Sequence, residues 1–205
     1  MNFLRSKLKS KSKIKWEPDN HFPNIYESIE DKRKQFILNL PDIEICELDV
    51  LHHRQTVSGP HDITEPDDNY KDWMYGKSIS TYPRLEGTQV GDPIADSYLI
   101  EMYKQNIVIG AVADGCNWGT AQRDASMAAK KNFAEYLRNH IADMKTIRDC
   151  GHFVLQAISY VQYKMLEGKV SADEIFSAAT TTFLGGILVP LEPSPSRSTP
   201  YVWIF

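Results

Sequence analysis

Two aspartates adjoin apolar segments and have the clearest chemical potential in the sequence. Asp114 follows the apolar run NIVIGAVA, residues 106–113, and is itself followed by Gly115. Asp96 directly precedes a second apolar run, SYLIEM, residues 97–102. Carboxylate and main-chain carbonyl oxygens are suitable ligands for Mg²⁺ or Mn²⁺. The pattern therefore raises the hypothesis of a hard-cation site.

The two apolar runs are predicted to form a β-hairpin, because both favour strands and only a short polar link separates them. The start of the first strand then meets the end of the second, so Asp96 and Asp114 would lie side by side. Two neighbouring carboxylates repel each other, and a divalent cation relieves that repulsion. Two alternatives stay open: Asp114 with Gly115 forms only a turn, or Asp96 only caps a turn after Pro93.

A helix is predicted directly after this pair, with Thr120 as its cap and Ala121 as its first residue. Apolar residues recur every three or four positions and form one stripe: Ala121, Ala125, Ala128, Ala129, Phe133, Tyr136, Leu137, Ile141 and Met144. The opposite face is expected to present charged side chains: Lys130, Lys131, Glu135 and Arg138.

The remaining elements define the fold class. A second helix is predicted over residues 152–166, ending at Gly168, followed by strands at 178–189 and 201–205. The order is strand, strand, helix, helix, strand, strand, which disfavours an alternating parallel sheet. We predict an α+β fold with antiparallel strands and two helices packed on one face.

The first part of the chain has weaker patterns. Residues 1–35 are predicted to be a basic, largely disordered leader. Residues 36–86 are predicted to be irregular, with one bulged strand near 43–50 and a long loop over 51–75. The histidines of this loop lack a periodic framework and are interpreted as ordinary loop residues: His52, His53 and His61.

The composition excludes several classes of protein. With 205 residues, 42% hydrophobic residues and a net charge of −4, the chain suits one globular domain with tails and gives no indication of nucleic-acid binding. Its apolar stretches are too short to span a bilayer. Cys46, Cys116 and Cys150 form no CxxC pair, which argues against disulfides and a structural zinc site. We expect an intracellular protein, cytoplasmic or nuclear.

The run AVADGCNWG, the two helices and TTTFLGGIL together resemble the metal-dependent protein phosphatases of the PPM, or type 2C, family. The resemblance covers residues 87–205. It implies a β-sandwich flanked by helices, with two Mg²⁺ or Mn²⁺ ions sharing a water that attacks phosphoserine or phosphothreonine. It also implies that Asp114 bridges the ions, that the Gly115 carbonyl binds one of them, and that Asp96 is the second residue of a Glu-Asp pair.

The sequence departs from the family pattern at several positions. Ala95 replaces the family's glutamate, and Cys116 replaces a histidine thought to donate a proton. Gly91 stands in place of the phosphate-binding arginine, and Arg84 is nearby but out of register. The family's later aspartates follow the strand represented here by YVWIF. We therefore expect residues 87–205 to be the N-terminal portion of such a domain.

Three functions are compatible with these residues. The first is metal-dependent hydrolysis of phosphoprotein esters, if downstream sequence completes the site. The second, favoured by the departures at Ala95, Cys116 and Gly91, is a pseudophosphatase that binds protein partners without catalysis. The third sets the resemblance aside and leaves an α+β interaction module in which Asp114 only closes a loop. A cysteine nucleophile is disfavoured, because no glycine-rich anion cradle follows Cys116.

Overall fold

The fold is a mixed α and β structure built around one antiparallel sheet. The computed structural model describes residues 23–48, 52–60, 67–71, 74–78, 84–90, 93–198 and 200–205. In chain order its helices and strands are α1 (Pro23–Asn39), β1 (His53–Gly59), β2 (Asp67–Lys71), β3 (Met74–Ser78), β4 (Arg84–Leu85), β5 (Thr88–Gln89), β6 (Ser97–Tyr103), β7 (Val108–Gly115), α2 (Thr120–His140), α3 (Ile147–Leu166), α4 (Ala172–Phe176), β8 (Thr181–Pro190) and β9 (Tyr201–Ile204).

The central sheet has five strands in the order β1-β6-β7-β8-β9, and every neighbouring pair is antiparallel. The predicted hairpin is confirmed as β6 and β7, with Ser97 opposite Ala113. Helix α2 packs on β6, β7 and β8, and α3 packs on α2. The predicted α+β class, the antiparallel strands and the two helices on one face are therefore confirmed.

The main core lies between the sheet and these two helices. Strand alternation turns every second side chain of β7 toward α2, and these side chains are small or branched apolar groups. Ile109, Ala111 and Ala113 are buried there against Phe133 and Leu137 of α2. The predicted stripe of α2 is thus its core face, although Ala121 at its beginning is exposed.

Helix α2 begins one residue earlier than predicted, and Thr120 is not its cap. Gly119 takes the N-cap position with a φ of 110°, a left-handed conformation that glycine adopts without steric cost. Asn117 also has a positive φ, of 71°. Two such residues within three positions turn the chain sharply from β7 into α2, and the helix begins without a side-chain hydrogen bond from its N-cap residue.

One of the charged residues predicted on the face of α2 opposite the apolar stripe is buried, whereas Arg138 is exposed. Lys130 is buried, and Arg138 forms an ion pair of 2.5 Å with the buried Glu101 of β6. Tyr103 donates a further hydrogen bond of 2.8 Å to the same carboxylate. The charged side of the helix therefore contacts the sheet through Lys130 and Arg138.

The predicted disordered leader is wrong for residues 23–35, which belong to α1. No proline interrupts the chain between Pro23 and Pro41, and the residues between them are mostly good helix formers. After α1, Arg148 of α3 binds Asp42 at 3.0 Å and the Leu40 carbonyl at 3.2 Å. Residues 1–22 lie outside the described part of the chain.

Where the structure describes residues 43–75, the predictions for this range are also largely wrong. Of the expected strand near 43–50 the structure describes residues 43–48, where Glu44 and Ile45 form only isolated bridges, because their partners Thr146 and Leu191 lie far apart in the chain. Residues 53–59 form the edge strand β1, and β2 pairs with β3, where a loop was predicted. An edge strand needs few apolar residues, and in β1 the apolar side chain of Val57 is deeply buried.

The opposite face of the sheet is covered only in part by described residues. The β2–β3 hairpin packs against β1 and β6, where Tyr98 and Met102 are buried. Further along the same face is a cleft of about 540 Å³, lined among others by Val112, Leu184 and Trp203. No helix in the described ranges is both long and apolar enough to cross a bilayer.

Candidate metal centre

Asp96 and Asp114 converge at one end of the β6–β7 hairpin, as the sequence predicts. Ser97 pairs with Ala113, so the residues just beyond this pair are opposite each other. Their carboxyl groups are within hydrogen-bonding reach of each other. Asp114 is also paired with Thr182 of β8. We call the row formed by Asp96, Asp114 and Thr182 the acidic rim.

The acidic rim faces away from the helices. Ala113 is buried in the core beneath α2, and strand alternation puts Asp114 on the other face, together with the exposed Val112. Asp96 and Asp114 are both exposed. A cation and its remaining water ligands therefore have access to the two carboxylates from solvent.

The main chain of Asp114 is held by the neighbouring strand. The Thr181 hydroxyl donates a hydrogen bond of 2.8 Å to the Asp114 carbonyl oxygen. Two residues further on, the amide of Cys116 donates to the carbonyl of Thr180, directly before β8, at 2.9 Å. The end of β7 is thus fastened to β8 on both sides of Gly115, which limits the movement of the Asp114 side chain.

Gly115 is required by close packing rather than by its backbone angles. A Cβ at this position would lie 2.7 Å from the Gln122 carbonyl oxygen, 2.9 Å from the Ala95 Cβ and 2.9 Å from the Ala95 carbonyl oxygen. Real Cβ atoms do not approach main-chain atoms this closely. The absence of a side chain at Gly115 lets the segment before Asp96 and the first turn of α2 approach the end of β7.

Asp96 holds its proton more strongly than an ordinary aspartate. Burial of the carboxyl, a hydrogen bond with Asp114 and the negative charge of Asp114 raise the pKa of Asp96 from 3.8 to about 6. Burial is the largest of these causes, although the residue as a whole is exposed. Asp96 is costly to ionise because it is partly buried and another carboxylate lies beside it. A bound divalent cation would stabilise its ionised form.

This raised pKa predicts a pH dependence for the metal-free protein. The folded state binds a proton more tightly than the unfolded state, so the free energy of unfolding should fall as pH rises from about 4 to about 6, and then level off. Solvent screening at this exposed rim limits the change to about 1 kcal/mol. In the wild-type protein, carboxyl carbon NMR should give a titration midpoint near 6 for Asp96. In Asp114→Asn this midpoint should be lower but still above 3.8. A wild-type midpoint near 4 would contradict the prediction.

The other positions at which the sequence was compared with the PPM family do not form part of the acidic rim. Ala95 packs against Gly115, and Cys116 lies half-buried at the end of β7. Arg84 belongs to β4, a short strand paired only with β5 in the described structure. Gly91 lies outside the described residues. In the part of the chain that the structure describes, no group of three or more His, Cys, Asp and Glu side chains is arranged to hold a metal ion.

Two polar residues of α2 that the sequence did not single out contact the main chain beside the acidic rim. Ser126 and Lys130 are both buried on α2, and both donate to main-chain carbonyls near Asp96. Their positions on the helix provided a clue, because each directly adjoins a residue of the apolar stripe, Ala125 or Ala129. Only the fold reveals which carbonyl groups they reach.

The chain matches no family model, no curated protein and no solved structure.

Proposed function

We propose that the acidic rim binds Mg²⁺ or Mn²⁺ and that the surrounding fold is a phosphatase-like domain of the metal-dependent PPM type. The observation that supports the proposal is the convergence of Asp96 and Asp114 at the end of one hairpin. Two carboxylates and water suffice for a magnesium ion, which retains several waters in protein sites. The Gly115 carbonyl is the third ligand implied by the resemblance to this family.

Phosphoprotein ester hydrolysis is the activity we propose for this site. A divalent cation, when bound, supplies Lewis-acid stabilisation of the negative charge on a transferring phosphoryl group. The protein's contribution is to hold Asp96 and Asp114 beside each other, with Asp114 tied to β8 through Thr181. The substrate class is then a phosphoserine or phosphothreonine ester in a protein.

A second candidate function is binding of a protein partner without hydrolysis. Two observations favour it. Ala95 is packed against Gly115, where the family has a glutamate, so that carboxylate is absent from the rim. In addition, the described residues provide a pair of acidic ligands but no larger cluster.

Calorimetric titration of the protein with Mn²⁺ tests the proposal. We expect binding with a dissociation constant in the millimolar range or tighter. The matched control is Asp124→Asn, which removes an exposed carboxylate from the first turns of α2 and should leave the affinity unchanged. No heat of binding would contradict the proposed cation site.

Hydrolysis of p-nitrophenyl phosphate and of a phosphothreonine peptide then separates the two functions. Turnover that requires Mn²⁺ supports the phosphatase, whereas Mn²⁺ binding without turnover of either substrate supports the non-catalytic binding protein. Turnover that persists after chelation of the metal would contradict metal-dependent catalysis at this rim.

A further inference from the structure

Helix α2 is hydrogen-bonded to the main chain on both sides of Asp96. The Ser126 hydroxyl donates to the Ala95 carbonyl, directly before Asp96. One helical turn later, the Lys130 ammonium donates to the Tyr98 carbonyl at 3.1 Å, two residues after Asp96. We call Ser126 and Lys130 the α2 clamp.

The clamp residues are deeply buried polar groups in a helix whose other buried side chains are apolar. Ser126 is 0% exposed and Lys130 is 5% exposed. Burying an ammonium group is costly unless hydrogen bonds compensate for lost water. Lys130 meets that requirement by donating also to the Gly59 carbonyl of β1, at 2.7 Å. It therefore joins α2 to two strands of the sheet.

The clamp spans the boundary between β6, to which Tyr98 belongs, and the segment before it, in which Ile94 is buried. Residues 94–96 precede β6 and belong to no helix or strand. Asp96 is consequently outside the ladder that fixes Ser97 opposite Ala113. A metal ligand must be held within about 0.5 Å of its productive position, and residues outside regular structure need extra support to achieve this.

We propose that Ser126 and Lys130 are positioning residues for the cation site. They hold the main chain before and after Asp96, so that its carboxyl meets that of Asp114 before a cation arrives. Neither residue touches the cation itself. This inference rests on the proposed function, because it assigns to the clamp the preorganisation of the same acidic rim.

The test compares cation affinity in Ser126→Ala and Lys130→Met with that of the wild-type protein. Loss of outer-shell support typically weakens metal binding about 10-fold to 100-fold, and we expect Mn²⁺ affinity to fall within that range in calorimetry. The matched control is Val154→Ala, which removes buried atoms from α3 far along the chain from the rim. It should destabilise the fold and leave the Mn²⁺ affinity within about threefold of wild type.

A second measurement needs no metal. Amide hydrogen exchange in the metal-free Ser126→Ala protein should become about tenfold faster at Asp96 and Ser97, with little change in α3. Wild-type Mn²⁺ affinity in both clamp variants, or an equal loss in Val154→Ala, would overturn the proposal. If the wild-type protein binds no Mn²⁺, the proposed function fails. Amide exchange then still decides whether the clamp restrains Asp96, and unchanged exchange rejects that restraint as well.

Discussion

The Asp114→Asn protein is expected to bind Mn²⁺ at least about 100-fold more weakly than wild type, which places binding beyond calorimetric detection. Asp114 is the residue shared by both features of the rim: it faces Asp96 across the hairpin, and its main chain is tied to β8. Asparagine keeps the shape of the side chain and its hydrogen-bonding capacity. It removes one negative charge from the pair that the cation would neutralise.

The same substitution should not destabilise the metal-free protein at neutral pH. Two neighbouring carboxylates repel each other, so removing one charge relieves the repulsion as it weakens cation binding. Thermal unfolding in the presence of a chelator should therefore give a midpoint equal to or above that of wild type. If Asp114→Asn bound Mn²⁺ as tightly as wild type, the cation would bind at another place. If the variant were much less stable than wild type, weaker Mn²⁺ binding would follow from unfolding rather than from the lost ligand.

Asp124→Asn provides the charge-matched comparison. Asp124 is exposed on α2, and its carboxylate oxygen lies 3.8 Å from the guanidinium nitrogen of Arg123. Its substitution by asparagine changes the net charge by the same amount as Asp114→Asn. An ion pair of this kind contributes little to stability. If both variants lost Mn²⁺ affinity equally, general charge attraction rather than a defined rim would explain the binding.

The Gly115→Ala protein is expected to lose about 3 kcal/mol of unfolding free energy. The added Cβ would lie 2.7 Å from the Gln122 carbonyl oxygen and 2.9 Å from that of Ala95. Both oxygens belong to the main chain, so the first turn of α2 or the segment before Asp96 must move away. Urea denaturation at neutral pH measures this loss directly.

Gly110→Ala is the matched control on the same strand. A Cβ at Gly110 would meet the outer edge of the Trp203 ring at 3.1 Å, and this side chain can move without displacing the main chain. For Gly110→Ala we expect the free energy of unfolding to fall by less than about 1 kcal/mol. Equal denaturation midpoints for the two variants would contradict the close packing described around Gly115. Because the Gly115 substitution displaces the acidic rim, its residual folded protein should also bind Mn²⁺ weakly.

The meeting of Asp96 and Asp114 could be derived from the sequence because it depends on local chain geometry. Two β-prone runs joined by a short polar link can pair only with their outer ends together. The helices α2 and α3 were also predictable, since their apolar residues recur with the helical period. These features require no knowledge of where distant parts of the chain lie.

The support around the pair depends on distant contacts and could not be derived in this way. The sequence pattern puts Lys130 on the charged face of α2. In the fold, its ammonium group donates to the carbonyl of Gly59, which is 71 positions earlier in the chain. Strand β1 has too few apolar residues to be recognised, because an edge strand is stabilised by its pairing with β6 rather than by its own pattern. The requirement for glycine at position 115 likewise appears only when Ala95 and Gln122 approach it.

The periodicity of side chains thus specified the hairpin, the two central helices and the convergence of the two carboxylates, since each follows from the geometry of a short stretch of chain. Tertiary packing alone decided which polar side chains are buried and which carbonyl groups they hold. A hydrogen bond between residues far apart in the chain depends on the positions of both, and no local pattern encodes those positions.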